Sequence, residues 1–292
     1  MPSQVSRRKS TVSVTKNVAL VSIGSVEEKL ALVLSPLLLS SGLELSFCKN
    51  YPDPRDLTAE IIHEISHQLQ QIKMECVIFD IRIHEWKNTT HLKRSRAFSQ
   101  YIHDHCADLR ISHSVILSNG DLYLGNALGD YAEKREVRDV LKGEGPLDLT
   151  KFVLEMGVDF LLLTRKMKQR IDAKQSLRDK IISGKLSLSC LDISERTTLT
   201  SSTEGYVHHL VLDKLQSIRS FFHSTHPGIG LFLKKKTGDW VAKGDTIVDM
   251  YCPKGQKMPV EEETFQRMFV MDNMPPPFQP LLLERMELKI YD

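Results

Sequence analysis

The first 120 residues alternate short apolar runs with longer amphipathic stretches, and few architectures satisfy that alternation. Val18–Ser22, Leu43–Cys48, Cys76–Ile83 and Ser114–Leu117 read as buried strands. Between them, Glu27–Leu39, Leu57–Lys73 and Ser95–Cys106 read as helices, the second with Leu57, Ile61, Ile62, Ile65, Leu69 and Ile72 on one face. Strands this apolar need cover on both faces, which predicts a parallel α/β sheet flanked by helices. Further helices are expected at Tyr131–Leu141, from Leu149 to about Met167, and at Ala173–Ile182, which Gly184 would stop. From Thr203 the texture turns β-rich, with Tyr206–Leu212, Gly230–Lys234 and Thr246–Tyr251 as short strands between glycine turns. A length of 292 residues suits two domains. We divide the chain into a flexible basic tail (1–16), an α/β domain (17–195), a smaller β-rich α+β domain (196–257 with 281–292) and a Met- and Pro-rich segment (258–280). The polar stretch Glu195–Ser202 serves as the linker, and Met274–Pro280 is expected to be extended polyproline II.

Composition narrows the class. Hydrophobic residues at 41% and charged residues at 26% exclude wholesale disorder, and a net charge of +2 excludes a protein built mainly as a nucleic-acid glove. The longest apolar stretch, Leu30–Leu39, is short and broken by Ser35 and Pro36, so no spanning helix and no membrane partner are expected. Five dispersed cysteines, Cys48, Cys76, Cys106, Cys190 and Cys252, read as reduced thiols in an intracellular compartment. The acid-free start has the charge of a transit peptide, but Val5, Val12 and Val14 form no amphipathic face. This favours the cytoplasm over the mitochondrion. Arg7, Arg8 and Lys9 precede Ser10, a pattern that suits a basic-directed kinase and gives the tail a grip on acidic surfaces.

Few patterns carry chemistry. His63-Glu64-Ile65-Ser66-His67 spells H-E-x-x-H on an expected helix, so His63 and His67 are a candidate zinc pair. Lys73 stands where a third histidine would, and Glu85 lies beyond the next strand, so a solvated helix face is the preferred reading. Adjacent helical residues point about 100° apart, so His103 and His105, two residues apart, cannot chelate one ion from one face. No metal and no cofactor are therefore expected. The chain has no G-x-S-x-G, no G-x-G-x-x-G and no P-loop.

Two strings then point to one family. Leu124-Gly125-Asn126-Ala127-Leu128 precedes Val140-Leu141-Lys142-Gly143-Glu144-Gly145-Pro146-Leu147-Asp148-Leu149. Together they resemble the G-N-A-L-E…L-K-G-x-G-P-x-D-L signature of the thymidine and pyrimidine-nucleoside phosphorylases. Gly228–Phe232, Lys236–Val241 and Lys243-Gly244-Asp245 look like that family's small C-terminal domain. Ser22–Lys29 with Leu32–Pro36 resembles its phosphate-loop segment S-T-G-G-V-G-D-K…L-V-L-A-P. The resemblance implies a phosphorylase-like, glycosyltransferase-like fold, and for the family a reaction in which phosphate displaces the pyrimidine from a nucleoside's sugar.

The ligand-handling positions depart from that pattern. The phosphate loop keeps Ser22, Gly24 and Lys29. Leu20 stands in place of a phosphate-pairing lysine, Ala31 in place of a serine, and Glu27 and Glu28 put negative charge where phosphate would sit. Asp80 and Arg82 are the remnants of a glycine-rich D-V-K-x-G-x-G-A segment, and Leu122 replaces an arginine. The second glycine-rich loop falls in a gap near 50–57, and the base-contacting serine and lysine fall on Glu60 and Glu64, or on Glu64 and Gln68. The resemblance leaves out the helical domain that supplies the family's dimer contacts, which implies no family-type homodimer. The expectation is a pseudoenzyme acting as a scaffold or subunit of a larger assembly; a diverged nucleoside phosphorylase or nucleoside-binding protein is the alternative. Contacts with an unknown protein partner would run through Arg7–Lys9, Trp86 in the Ile83–Lys87 stretch, and Phe278 among its prolines.

Overall fold

A computed structural model describes residues 15–23, 28–51, 67, 74–186, 194–226 and 228–291. The apolar runs form β1 (Lys16–Ile23), β2 (Leu43–Tyr51), β3 (Cys76–Ile83) and β4 (Ser112–Asn119). They lie parallel in the order β4-β3-β1-β2. Every residue of β3 and β4 is buried. Successive side chains of a strand face opposite ways, so two cores result. On one face Val18, Leu20, Ile78 and Ile116 pack with α1 (Glu28–Leu39), α3 (Asp130–Leu141), α4 (Leu147–Leu163) and α5 (Arg170–Ile182). On the other, Ala19, Val21, Phe79, Ile81 and Val115 meet Ile102 and Cys106 of α2 (Thr89–Asp108).

The β-rich unit holds two small sheets. One orders β5 (Ala127–Leu128), β8 (Gly230–Leu233), β10 (Thr246–Pro253) and β6 (Ser194–Thr200); the other orders β11 (Phe269–Asp272), β7 (Gly205–Leu210) and β9 (Trp240–Val241). The two strands in the G-N-A-L turn and in the second half of the chain thus pair directly, Ala127 with Phe232 and Leu128 with Leu231. Helix α6 (Leu212–Thr225) contributes Leu215, Ile218 and Phe222 to this unit's core, and α7 (Glu262–Gln266) contributes Phe265.

Helix α6 supplies the helical part of the expected α+β unit, between strands β7 and β8. Two expectations are corrected. The stretch taken as a polar linker is strand β6, an edge strand whose polar residues face out while Leu199 packs inward. Residues 281–292 were grouped with the second unit, yet β12 (Leu282–Arg285) pairs antiparallel with β4 and extends the large sheet. The expected helix at 57–73 lies outside the described residues apart from His67.

The signature glycines shape the backbone. Gly125 and Gly143 have φ of 69° and 82°, where a side chain is strained. A Cβ on Gly145 would meet Val140 Cγ2 at 2.2 Å. This close approach seats the loop between α3 and α4.

Candidate functional site

Polar residues gather toward the carboxyl ends of the parallel strands, where open α/β sheets place their ligands. Ser22 of β1 lies in register with Asp80 of β3, and Arg82 with Ser118 of β4. Asp80 and Arg82 share a face because they are two residues apart. Asp80 accepts a hydrogen bond from Ser118 Oγ at 2.5 Å and from Arg82 Nε at 3.4 Å. The Arg82 guanidinium lies 5.4 Å from the centroid of the Phe152 ring. Ser22, Asp80 and Arg82 are each at most 1% exposed. Ser22, Asp80 and Arg82 are thus brought close together inside the protein, with Asp80 bonded to Ser118 and Arg82.

Lys29, in the first turn of α1, is equally buried. Its ammonium donates to Ala127 O at 3.1 Å, Glu136 Oε2 at 3.3 Å and Tyr123 Oη at 3.4 Å. Glu136 also accepts the backbone N–H of Asn126 at 2.5 Å and of Ala127 at 3.0 Å. Burial raises the Glu136 pKa, and the charge of Lys29 opposes that shift. Lys29 therefore ties α1 to α3 and to the G-N-A-L turn.

A second buried pair joins the two units. Arg219 of α6 donates to Glu133 of α3 at 2.6 and 2.9 Å and lies 3.8 Å from Glu28. Glu133 also accepts the Gly129 N–H at 3.2 Å, and His223 lies 3.5 Å away. Burial alone would raise the Glu133 pKa. Hydrogen bonds from His223 and Arg219, with the charges of Lys29 and Arg219, hold it well below the usual carboxylate range.

A cleft of about 910 Å³ opens between α4 and the β-rich unit. Leu122, Tyr123, Phe152, Leu210, Leu281 and Leu282 line its walls, and Pro276, Pro277 and Phe278 border it. Lys236 crosses from the small unit to pair with Asp148 and to donate to Gly125 O at 2.8 Å. Burial pushes the Asp148 pKa up, but Lys236 and the N–H groups of Leu149 and Gly125 bring it below its ordinary value.

Of the other sequence candidates, Phe278 borders this cleft and Trp86 stays apart from these groups. Trp86 is half-buried against the α2-side core, with the Lys87 ammonium 5.7 Å from its ring centroid. Phe278 is 88% exposed. His67 is exposed, while His63, Gly24, Arg7, Arg8 and Lys9 lie outside the described residues. Among the described residues no group of three His, Cys, Asp or Glu side chains is placed to hold a metal ion. No helix among them is long and apolar enough to cross a membrane. Sequence reasoning missed Glu133, Glu136 and Arg219. A signal was present: Glu133 and Glu136 share the stripe of Val137 and Val140, and Arg219 shares that of Leu215, Ile218 and Phe222. Charges on apolar stripes are rarely buried unless paired.

A parallel-rich α/β sheet carrying a small β-rich unit, with the strand of the G-N-A-L turn paired into that unit's sheet, defines the class of fold. Comparison with known proteins agrees with the motif reading. The chain is 26% identical over 179 residues to the pyrimidine-nucleoside phosphorylase of Staphylococcus epidermidis, covering 50% of this chain and 41% of that one. It is 27% identical over 180 residues to that of Geobacillus stearothermophilus, covering 52% and 42%. It is 23% identical over 208 residues to the thymidine phosphorylase of Metamycoplasma hominis, covering 61% and 76%. The chain is thus distantly similar to this family and spans about two-fifths of the length of the first two relatives. No protein-family model matches it.

Proposed function

We propose that this chain is a phosphorylase-related protein without phosphorolytic activity, acting as a scaffold or structural subunit of a larger assembly. One observation carries the reading: the Lys29 ammonium is 1% exposed and satisfied by Glu136, Ala127 O and Tyr123. A cation committed to the interior cannot also clamp a substrate phosphate. Asp80 and Arg82 are equally withdrawn, and Leu20, Ala31 and Leu122 offer no charge or hydroxyl where the resembling family has one. The exposed Phe278, bracketed by prolines that lower the cost of ordering, suits a contact with a protein partner. The basic run Arg7–Lys9 suits an acidic surface, with binding that weakens as salt rises. The test is thermal stability with phosphate, thymidine and uridine added singly and together. This reading expects no cooperative stabilisation. Phosphate and nucleoside each tightening the other's binding would contradict it.

A further inference from the structure

We propose that residues 274–280 form a displayed polyproline II ligand for a partner protein whose binding groove is lined by aromatic side chains. This rests on the reading of the chain as a scaffold and names the kind of partner that such a scaffold would hold. The segment joins β11 to β12 and is held at both ends. Asp272 Oδ1 accepts the Met274 N–H at 2.9 Å. Asn119, the last residue of β4, donates its side-chain N–H to Pro280 O at 3.2 Å and its backbone N–H to Leu281 O at 2.8 Å. Between these anchors Pro275, Pro276 and Pro277 have no backbone N–H and a φ held near −65°. Among the described residues, 275–279 pair with no strand. The same missing donors rule out a partner that would add a strand to this stretch.

Burial along the segment follows the three-residue turn of polyproline II. Pro276 and Gln279 share one edge and are half-buried against the protein. Pro275 and Phe278 share a second edge, Met274 and Pro277 a third, and all four are exposed. Phe278 at 88% and Met274 at 70% are among the most exposed large apolar side chains described. Two apolar dipeptides, Met274-Pro275 and Pro277-Phe278, therefore stand about 9 Å apart on the free side, at about 3.1 Å per residue. No residue from 273 to 283 is charged, so ion pairs cannot supply the affinity. What fits is a groove of Tyr and Trp rings: their faces pack against proline and apolar side chains, and their O–H and N–H groups donate to the free carbonyls. Two anchored ends and three consecutive prolines leave little ordering cost to binding.

The experiment is calorimetric titration of the full chain with purified polyproline-reading domains of the SH3, WW and EVH1 classes, with sedimentation of the chain alone alongside. At least one domain should bind with a Kd of about 1–100 μM. Phe278→Ser and Met274→Ser should each weaken that binding about tenfold. Both positions are exposed, so the variants should melt with the parent. Ile182→Ser, at a 74% exposed apolar residue of α5, should leave binding unchanged. The affinity should move by less than about twofold between about 50 and about 300 mM salt. The proposal is overturned if no domain binds, if Ile182→Ser costs as much as Phe278→Ser, or if binding falls steeply with salt. Self-association abolished by Phe278→Ser would also overturn it, by making a second copy the occupant. Each of these results is separate from phosphate and nucleoside binding, which tests the inactive-scaffold reading by itself.

Discussion

Removing the Arg219 side chain by Arg219→Met should destabilise the protein by about 3 kcal/mol. Breaking a buried ion pair from one side costs about 3–5 kcal/mol, because the remaining charge is left in a poorly solvating interior. Glu133 would keep the Gly129 N–H at 3.2 Å and His223 at 3.5 Å, which places the cost at the lower end. The companion Glu133→Gln removes the stranded charge while keeping an acceptor for Gly129. The double variant should therefore recover to within about 1 kcal/mol of the parent. The pH dependence adds a second check. The folded-state pKa of Glu133 is depressed below its ordinary value of 4.5, so its stabilisation is fully present above pH 4.5 and is lost as pH falls through the folded pKa. In Arg219→Met the buried carboxyl protonates more readily than in the parent, so the gap between parent and variant should narrow as pH falls from 7 to 4. Urea unfolding at pH 7 and pH 4 measures both effects. A cost under about 1 kcal/mol at pH 7, or a double variant no more stable than Arg219→Met, would refute the reasoning.

Other outcomes follow from the same structure. Gly145→Ala should cost about 1–3 kcal/mol or more, because its Cβ would meet the Val140 backbone at 2.7 and 2.8 Å; Gly184→Ala, with φ of 62° and open space around it, should cost only about 1–2 kcal/mol, and thermal melts compare the two. Arg285→Ala should speed hydrogen exchange at 282–291, since this arginine pins β12 to Glu155 and Asp159; unchanged exchange there would remove it as an anchor. Among the described cysteines, the half-buried Cys48 should react with a thiol reagent before Cys106, whose pKa burial pushes up to about 12, and before the fully buried Cys76. Mass spectrometry of the time course reads the order.

The large sheet was legible because each central strand is a nearly unbroken apolar run, such as Cys76–Ile83, and no other local structure buries such a run as well. Other elements were hidden by their exposure. The strand Ser194–Thr200 buries little beyond Leu199 and reads as a polar linker, because its order comes from pairing with β10. Leu282–Arg285 follows a run of prolines, and only its antiparallel partner β4 makes it a strand. Helix Leu212–Thr225 did carry a helical stripe, but Arg219 interrupts it with a charge that needs Glu133 to be tolerated. Lys29 was found as a motif position; its partner Glu136 stands 107 residues away, a separation no local pattern bridges. The residues were thus readable singly, while their commitment to one another appears only in three dimensions.

Turnover is the most direct test of the proposal that Ser22, Lys29, Asp80 and Arg82 hold the fold rather than a substrate. Phosphate-dependent release of thymine from thymidine and of uracil from uridine should stay at the protein-free background, and Ser22→Ala should leave that rate unchanged. Release above background that requires phosphate and disappears in Ser22→Ala would contradict the claim, and it would return Ser22 and Lys29 to a working phosphate site.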